Sequence, residues 1–485
     1  MSDERRASNP SRRTLIRNAS ILTMDAEQGD LDRGDLLIEG DTIAAIGRRL
    51  DEPADEIVDE IVDAAGMILM PGMIDSHRHV WEAIDMGGLV KVRPAPYLPA
   101  YQQWKMRTIV SMTPEDHYLA ELVGGLQAID SGVTTVVDYA HGQISEAHTM
   151  AAARGLRDAG IGGWFAFQLG VAPSYKPGDT ISLAAANRQR IARPTASHWA
   201  TAERLRSELF HDPSAPLQLA VAPCGNNGTP LDEIRDEWSR IRGMGIQFMP
   251  QHIHKPEKPH PPGVMGHRGS GIEDLADAGL LGPDFQAVHA NALTAAELAL
   301  MREAGSMLSA TTMAEFPYVL YAQKGAPIHA HARNAGVPAG IGVDVPVSLT
   351  SEYFEHVRSA YWTLYLDAGH PGIVADCTSS YVLDFATRLG AQSVRLGHRT
   401  GVLAAGRRAD LVLLSTRRIG FGMAGSLAER VLTFAGTADV DSVWVAGTAR
   451  KRHGRMIGVD WDDLKNALTE AQRRIARLAA TIQFT

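Results

Sequence analysis

The 485-residue sequence predicts an α/β protein: a (β/α)8 TIM-like barrel with a discontinuous small β-sandwich domain built from both chain ends. Three observations carry this reading. Through the middle of the chain, apolar strand-like runs alternate with helix-length amphipathic stretches, the texture of βα units on a parallel sheet. Both flanks read instead as short alternating strands separated by polar turns. Where the first flank meets the middle, at Met70-Pro71-Gly72-Met73-Ile74-Asp75-Ser76-His77-Arg78-His79, an apolar run stops at two histidines spaced i, i+2. Residues two apart on a strand point the same way, so both imidazoles can converge on one ion.

The elements follow in order. Leu15 to Ala19, Asp35 to Gly40 and Thr42 to Gly47 form the leading β module. The run into Asp75 is followed by apolar runs at Thr134 to Asp138, Gly163 to Phe167, Leu217 to Ala222, Ile246 to His252, Ala287 to Asn291, Met307 to Ala310 and Ala339 to Val343. Together they supply the eight strands that close such a barrel. Past about Arg395 strand texture returns in Gly401 to Leu403, Ala409 to Leu414 and Val440 to Gly447, and Trp461 to Ile482 reads as a surface helix. The expected division is 1–70 with 396–455 for the composite sandwich, 71–395 for the barrel and 456–485 for the C-terminal helix.

Composition narrows the function classes. A net charge of −9, without a long Lys/Arg block, gives nothing to track a phosphate backbone, so nucleic acid is not an expected partner. No apolar run approaches the ~20 residues of a membrane span. Only Cys224 and Cys377 occur, and Met1 to Arg13 is polar, so a reducing cytoplasm is expected, with no disulfide framework.

Three later strand ends deliver further chemistry. Met249-Pro250-Gln251-His252-Ile253-His254-Lys255-Pro256-Glu257 offers two more histidines two apart and a carboxylate. Ala287-Val288-His289-Ala290-Asn291 closes on a lone histidine, and Gly340-Ile341-Gly342-Val343-Asp344 ends on an acid. Three neutral imidazoles and one carboxylate suit a borderline divalent ion such as zinc or ferrous iron, with a position left for water. Such an ion lowers the pKa of bound water toward ~7.

Pro71-Gly72-Met73-Ile74-Asp75-Ser76-His77-Arg78-His79, the later histidines and Asp344 together resemble the amidohydrolase superfamily, in its cytosine deaminase and triazine chlorohydrolase-like branch. The likeness runs nearly end to end, through Ala386-Thr387-Arg388-Leu389-Gly390-Ala391 and Gly401 to Val412. It implies that His77, His79, one histidine of the fifth strand and Asp344 bind one divalent transition metal, zinc before iron, while His289 orients the attacking water. Within that pattern His254 is favoured, because His254-Lys255-Pro256-Glu257 fits the branch's His-x-x-Glu motif, with His252 as the fallback. Glu257 is then the proton shuttle, and Asp344 is both ligand and base. The fourth strand, Leu217 to Cys224, has no lysine to bridge two metals, so a mononuclear site follows.

The activity implied is hydrolysis of a non-peptide C–N bond of a small molecule, by deamination of an N-heterocycle or amide or urea-type cleavage. Hydrolytic dechlorination, metal-assisted decarboxylation and a catalytically inactive assembly protein are the alternatives. Substrate contacts are expected from loop residues after the strands: Trp81, Glu82, His141, Gln168 and Glu315. The branch commonly forms homo-oligomers.

Overall fold

A computed structural model describes residues 12–50, 58–89, 97–190, 192–315, 328–366 and 378–485. The leading strands are β1 (Arg13–Ile21), β2 (Leu31–Glu39), β3 (Thr42–Gly47), β4 (Glu60–Asp63) and β5 (Met67–Pro71). Next come β6 (Met73–Arg78), β7 (Val133–Ala140), β8 (Gly162–Gln168), the two-residue β9 (Thr180–Ile181), β10 (Leu217–Ala222), β11 (Met249–Ile253), β12 (Phe285–His289), β13 (Met307–Ala310) and β14 (Ala339–Ile341). The chain closes with β15 (Leu411–Ser415), β16 (Val440–Val445), β17 (Thr448–Arg452), β18 (Arg455–Met456) and β19 (Gln483–Phe484).

These strands sort into a TIM-barrel-like α/β arrangement. One sheet has eight strands in the order β10-β8-β7-β6-β14-β13-β12-β11, and every pairing in it is parallel. Its two outer strands approach one another, with the Val221 amide donating to the Phe248 carbonyl at 3.3 Å. Every residue of β6, β7 and β8 is buried, which is why β8 and much of β7 read as apolar without alternation, while β6 buries Asp75, Ser76, His77 and Arg78 at its end. Helices such as Pro114–Asp130, capped by Thr113 in a reciprocal box with Asp116, and Glu146–Ala159, ended by Gly160 at φ 80°, follow the strands and pack on their outer sides.

A second, nine-stranded mixed sheet takes β1 to β5 from the start of the chain and β15 to β18 from its end. The two halves join where β15 lies antiparallel to β5, with Leu411 opposite Pro71 and Ser415 opposite Met67. β5 is followed after one residue by β6, so this sheet feeds directly into the strand that carries the first two histidines. The expected strand at Gly401 to Leu403 is absent: the chain bends there, with Gly401 at φ +96°. A Cβ at Gly401 would stand 2.7 Å from Ala391 Cβ and 2.8 Å from the Thr387 carbonyl, so the segment is shaped by close packing rather than by a ladder.

The C-terminal helix spans Trp461–Ala479 and packs on Pro114–Asp130 and Tyr97–Ile109. Beyond it, β19 pairs in parallel with β9. Among the described residues, no helix is long and apolar enough to cross a membrane.

Candidate metal centre and active site

β6 and β14 are stitched together at their C-terminal ends. The Asp344 amide donates to the His77 carbonyl (2.9 Å) and the His79 amide to the Asp344 carbonyl (2.8 Å). This places Asp344 Oδ1 at 3.3 Å from His77 Nε2 and 3.2 Å from His79 Nε2. His252, on β11, sets its Nε2 3.3 Å from His77 Nε2. Four donors at the corners of a tetrahedron with ~2.0–2.1 Å bonds are separated by ~3.3–3.4 Å, so these distances are those of a common coordination shell.

The protonation states agree. Burial drives His77 down to about 3 and lowers His79, while burial and the surrounding imidazoles hold His252 well below its usual value. Burial pushes Asp344 up, but the His289 charge and the bonds to His77 and His79 outweigh it and hold the carboxyl well below the usual range. Neutral imidazoles and an ionised carboxylate are the forms a metal binds. The His79 ring is oriented from behind, because Nδ1 donates to the Tyr139 carbonyl at 2.9 Å and leaves Nε2 as the free lone pair. The residues present therefore fit one divalent ion.

Of the two fifth-strand histidines, the geometry favours His252 over His254. β11 ends at Ile253, which pairs with His289, so His252 is the last histidine inside the ladder. His254 is past the strand and exposed, its ring stacked on His289 at 5.0 Å. A grouping of His252, His254 and His289 has donor atoms within 4.8 Å of one another, but it lacks a carboxylate. Glu257, expected as the shuttle, is exposed in the loop beyond, because the proline-rich segment carries the chain outward.

His289 reaches the same centre, within 4.8 Å of His77 and Asp344 by donor atoms. Its Nδ1 bonds Glu315 Oε1 and Thr311 Oγ1, both at 2.8 Å, and the Thr311 hydroxyl donates to the same Glu315 oxygen at 2.7 Å. Burial opposes charge on the pair, yet Glu315 and Asp344 raise His289, and the His289 charge lowers Glu315. Glu315 thus holds His289 and is not the open substrate contact expected of it. His289 and Asp344 both have left-handed backbones, φ 65° and 69°, a strain of ~1–3 kcal/mol each that the surrounding bonds hold in place.

Of the remaining expected contacts, Trp81, His141 and Glu82 form one directed chain through Tyr101. Trp81 is fully buried, stacked on Trp104 at 5.3 Å, so its ring is not available to a substrate. Its indole Nε1 donates to His141 Nδ1 at 2.9 Å. Indole nitrogen is only a donor, so a neutral His141 carries its proton on Nε2, facing the Tyr101 hydroxyl at 3.2 Å, which in turn donates to Glu82 Oε1 at 2.6 Å. The His141 ring lies flat on His79, 3.7 Å away at 9°. Burial and the Asp344 charge raise Glu82 well above the carboxylate range, against the Tyr101 bond. Gln168 is buried and donates to the Tyr139 hydroxyl at 3.3 Å.

Sequence reasoning missed Tyr139, Tyr101 and Lys105. Tyr139 stacks on His252 at 4.3 Å and sits two residues before His141 on the same strand face, a usable signal. Tyr101 and the wholly buried Lys105 share a face of helix Tyr97–Ile109, and the Lys105 charge acts on both Glu82 and His79. Nothing local in the sequence marks that helix as covering the site.

Comparison with known proteins gives a consistent picture. The model of the amidohydrolase family matches residues 68–450. A 5'-deoxyadenosine deaminase of Methanosarcina mazei is 26% identical over 471 residues, covering 96% of this chain and 99% of the relative. A 5-methylthioadenosine/S-adenosylhomocysteine deaminase of Desulforudis audaxviator is 27% identical over 479 residues, covering 97% and 100%. Among solved structures, a zinc-bound adenosine deaminase of Xanthomonas campestris superposes with a TM-score of 0.79 at 19% identity, covering 96% of this chain and 99% of that one. Atrazine chlorohydrolase of Arthrobacter aurescens with zinc gives 0.78 at 20%, covering 95% and 100%.

Proposed function

The chain belongs to the amidohydrolase family, and on that premise we propose that it is a metal-dependent hydrolase that deaminates an aminated N-heterocycle of the adenine-nucleoside type. The observation that carries this reading is the cluster in which Asp344 stands 3.2–3.3 Å from His77 and His79 and His252 stands 3.3 Å from His77. The substrate class is drawn from the deaminases similar to this chain over nearly its whole length.

Those four residues would hold one divalent ion, zinc in our reading, which when bound supplies Lewis-acid polarisation and a lowered pKa for water. Asp344, ionised and held just past β14 by backbone bonds to His77 and His79, accepts a proton from the attacking water. His289, its Nδ1 committed to Glu315, turns Nε2 toward the reacting oxygen and steadies it. Glu82, its carboxyl raised well above the usual range by burial, serves as the acid toward a ring nitrogen or the departing amine. Water adds its oxygen to the carbon and the C–N bond breaks; of its two protons, handled by Asp344 and Glu82, one leaves on the amine as ammonia and the other stays on the ring nitrogen of the product. We assign Glu82 the acid role expected of Glu257 because Glu82 alone of the two is buried against the Asp344 charge.

The same reading closes the eight parallel strands into a barrel over about 71–395, makes the sheet of both chain ends a composite domain over 1–70 and 396–455, and leaves 456–485 as an appended helix. The joint between β15 and β5 supports this division. We further propose a cytoplasmic homo-oligomer acting on a small molecule.

The test is ammonia release from zinc-loaded protein over 5'-deoxyadenosine, 5'-methylthioadenosine, S-adenosylhomocysteine, adenosine and amino- and chlorotriazines. Ammonia from the nucleosides is expected. Chloride alone, or no product from fully loaded protein, refutes deamination. Glu82→Gln should cost ~10²-fold or more in kcat, and Glu257→Gln less than about threefold.

A further inference from the structure

Behind the metal centre lies a second pair of acids that the reaction does not use. Glu121, on helix Pro114–Asp130, is fully buried, and neither carboxyl oxygen has a conventional hydrogen-bond partner among the described residues. It faces Asp138 of β7, also fully buried, within hydrogen-bonding reach. Asp138 Oδ1 accepts the Val80 amide at 3.0 Å, and Oδ2 has no donor among the described residues. Two bare carboxylates in contact in a dry interior are strongly disfavoured, whereas a single shared proton pairs Asp138 Oδ2 with one of the two orphaned oxygens of Glu121.

The surroundings decide which acid carries that proton. Burial pushes Asp138 up to about 7, but the Val80 N–H and the nearby Arg78 guanidinium both favour its ionised form. Glu121 has neither. His117, one turn earlier on the same helix, is buried with both ring nitrogens unpartnered among the described residues, and burial holds it neutral, down to about 3, so it adds no positive charge.

We infer that Glu121 is a carboxylic acid at neutral pH and that, by donating its proton to Asp138, it positions His79 for the metal. The link is short: Asp138 grips the amide that follows His79, and Tyr139, the next residue, supplies the carbonyl that orients the His79 ring. Glu121 is a positioning residue acting through Asp138, and its second role rests on the metal-site reading above, while its protonation does not.

Two measurements test the pair. An infrared difference spectrum of wild type minus Glu121→Gln at pH 8 should show the carbonyl band of a buried carboxylic acid. Its absence overturns the inference whatever the metal site does. Competition with a chelator for zinc should show Glu121→Gln, whose amide still donates to Asp138, within about threefold of wild type. Glu121→Leu, which removes the donor, should lose ~10- to 100-fold in affinity. If Glu121→Gln binds zinc as weakly as Glu121→Leu, an ionised Glu121 is required and the inference fails. If Glu121→Leu does not fold, the infrared band and the Glu121→Gln affinity still decide.

Discussion

Replacing His252 and His254 one at a time separates the arrangement that the sequence motif favours, with His254 as ligand, from the one that the geometry favours, with His252. In the structure His252 Nε2 stands 3.3 Å from His77 Nε2, the ligand–ligand spacing of a tetrahedral shell with ~2.0–2.1 Å bonds. His252→Ala removes one of four donors. Losing a group that merely orients a ligand costs ~10- to 100-fold in affinity, so losing a ligand should reach at least ~100-fold, ~2.7 kcal/mol. It also removes a ring stacked on Tyr139 at 4.3 Å and 17°, worth ~1 kcal/mol of stability with or without metal. His254→Ala gives up an exposed ring stacked on His289 and should change zinc affinity less than about threefold, ~0.7 kcal/mol. The assay is chelator competition for zinc on metal-stripped protein, with circular dichroism of the stripped variants as the folding control. A folded His252→Ala protein that keeps its zinc while His254→Ala loses it would refute the assignment and restore the His-x-x-Glu reading.

Two further outcomes follow from packing and burial. Gly342→Ala would put a Cβ 2.7 Å from the His77 carbonyl oxygen and 2.8 Å from His77 Cβ, so β6 must shift at its first ligand. Weakened zinc binding is expected by titration, and unchanged affinity would show that the strand yields freely. His117, neutral in the native state down to about 3 against 6.5 when unfolded, contributes stability that is complete above about pH 6.5 and declines as pH falls toward 3. The slope is ~1.4 kcal/mol per pH unit, so urea unfolding of wild type should lose ~2–3 kcal/mol more than His117→Leu between pH 6 and pH 4. Equal acid slopes would contradict the burial argument. At pH 7 the leucine variant should be as stable as wild type or more so, because both His117 nitrogens lack partners.

The sequence by itself determined the parallel βα core, since strands buried on both faces read largely as apolar runs, and it singled out His77, His79 and Asp344, which the structure brings within 3.2–3.3 Å. An i, i+2 pair at a strand end has one geometry, so its convergence is local information. The choice between His252 and His254 was not local. The two share strand parity, and only the end of the ladder at Ile253, opposite His289, leaves one inside and sends the other into solvent. The partners of His289 and Glu82 were equally hidden, since Glu315 lies 26 residues from His289 and Tyr101 lies 19 from Glu82. Trp81 shows the limit from the other side. Its position after the metal pair suggested a stacking surface, yet helix Tyr97–Ile109 brings Trp104 against it and closes that face. Strand parity and burial pattern are written in the chain, whereas which buried acid meets which base is decided when separate elements pack, by the cost of leaving either one unpartnered.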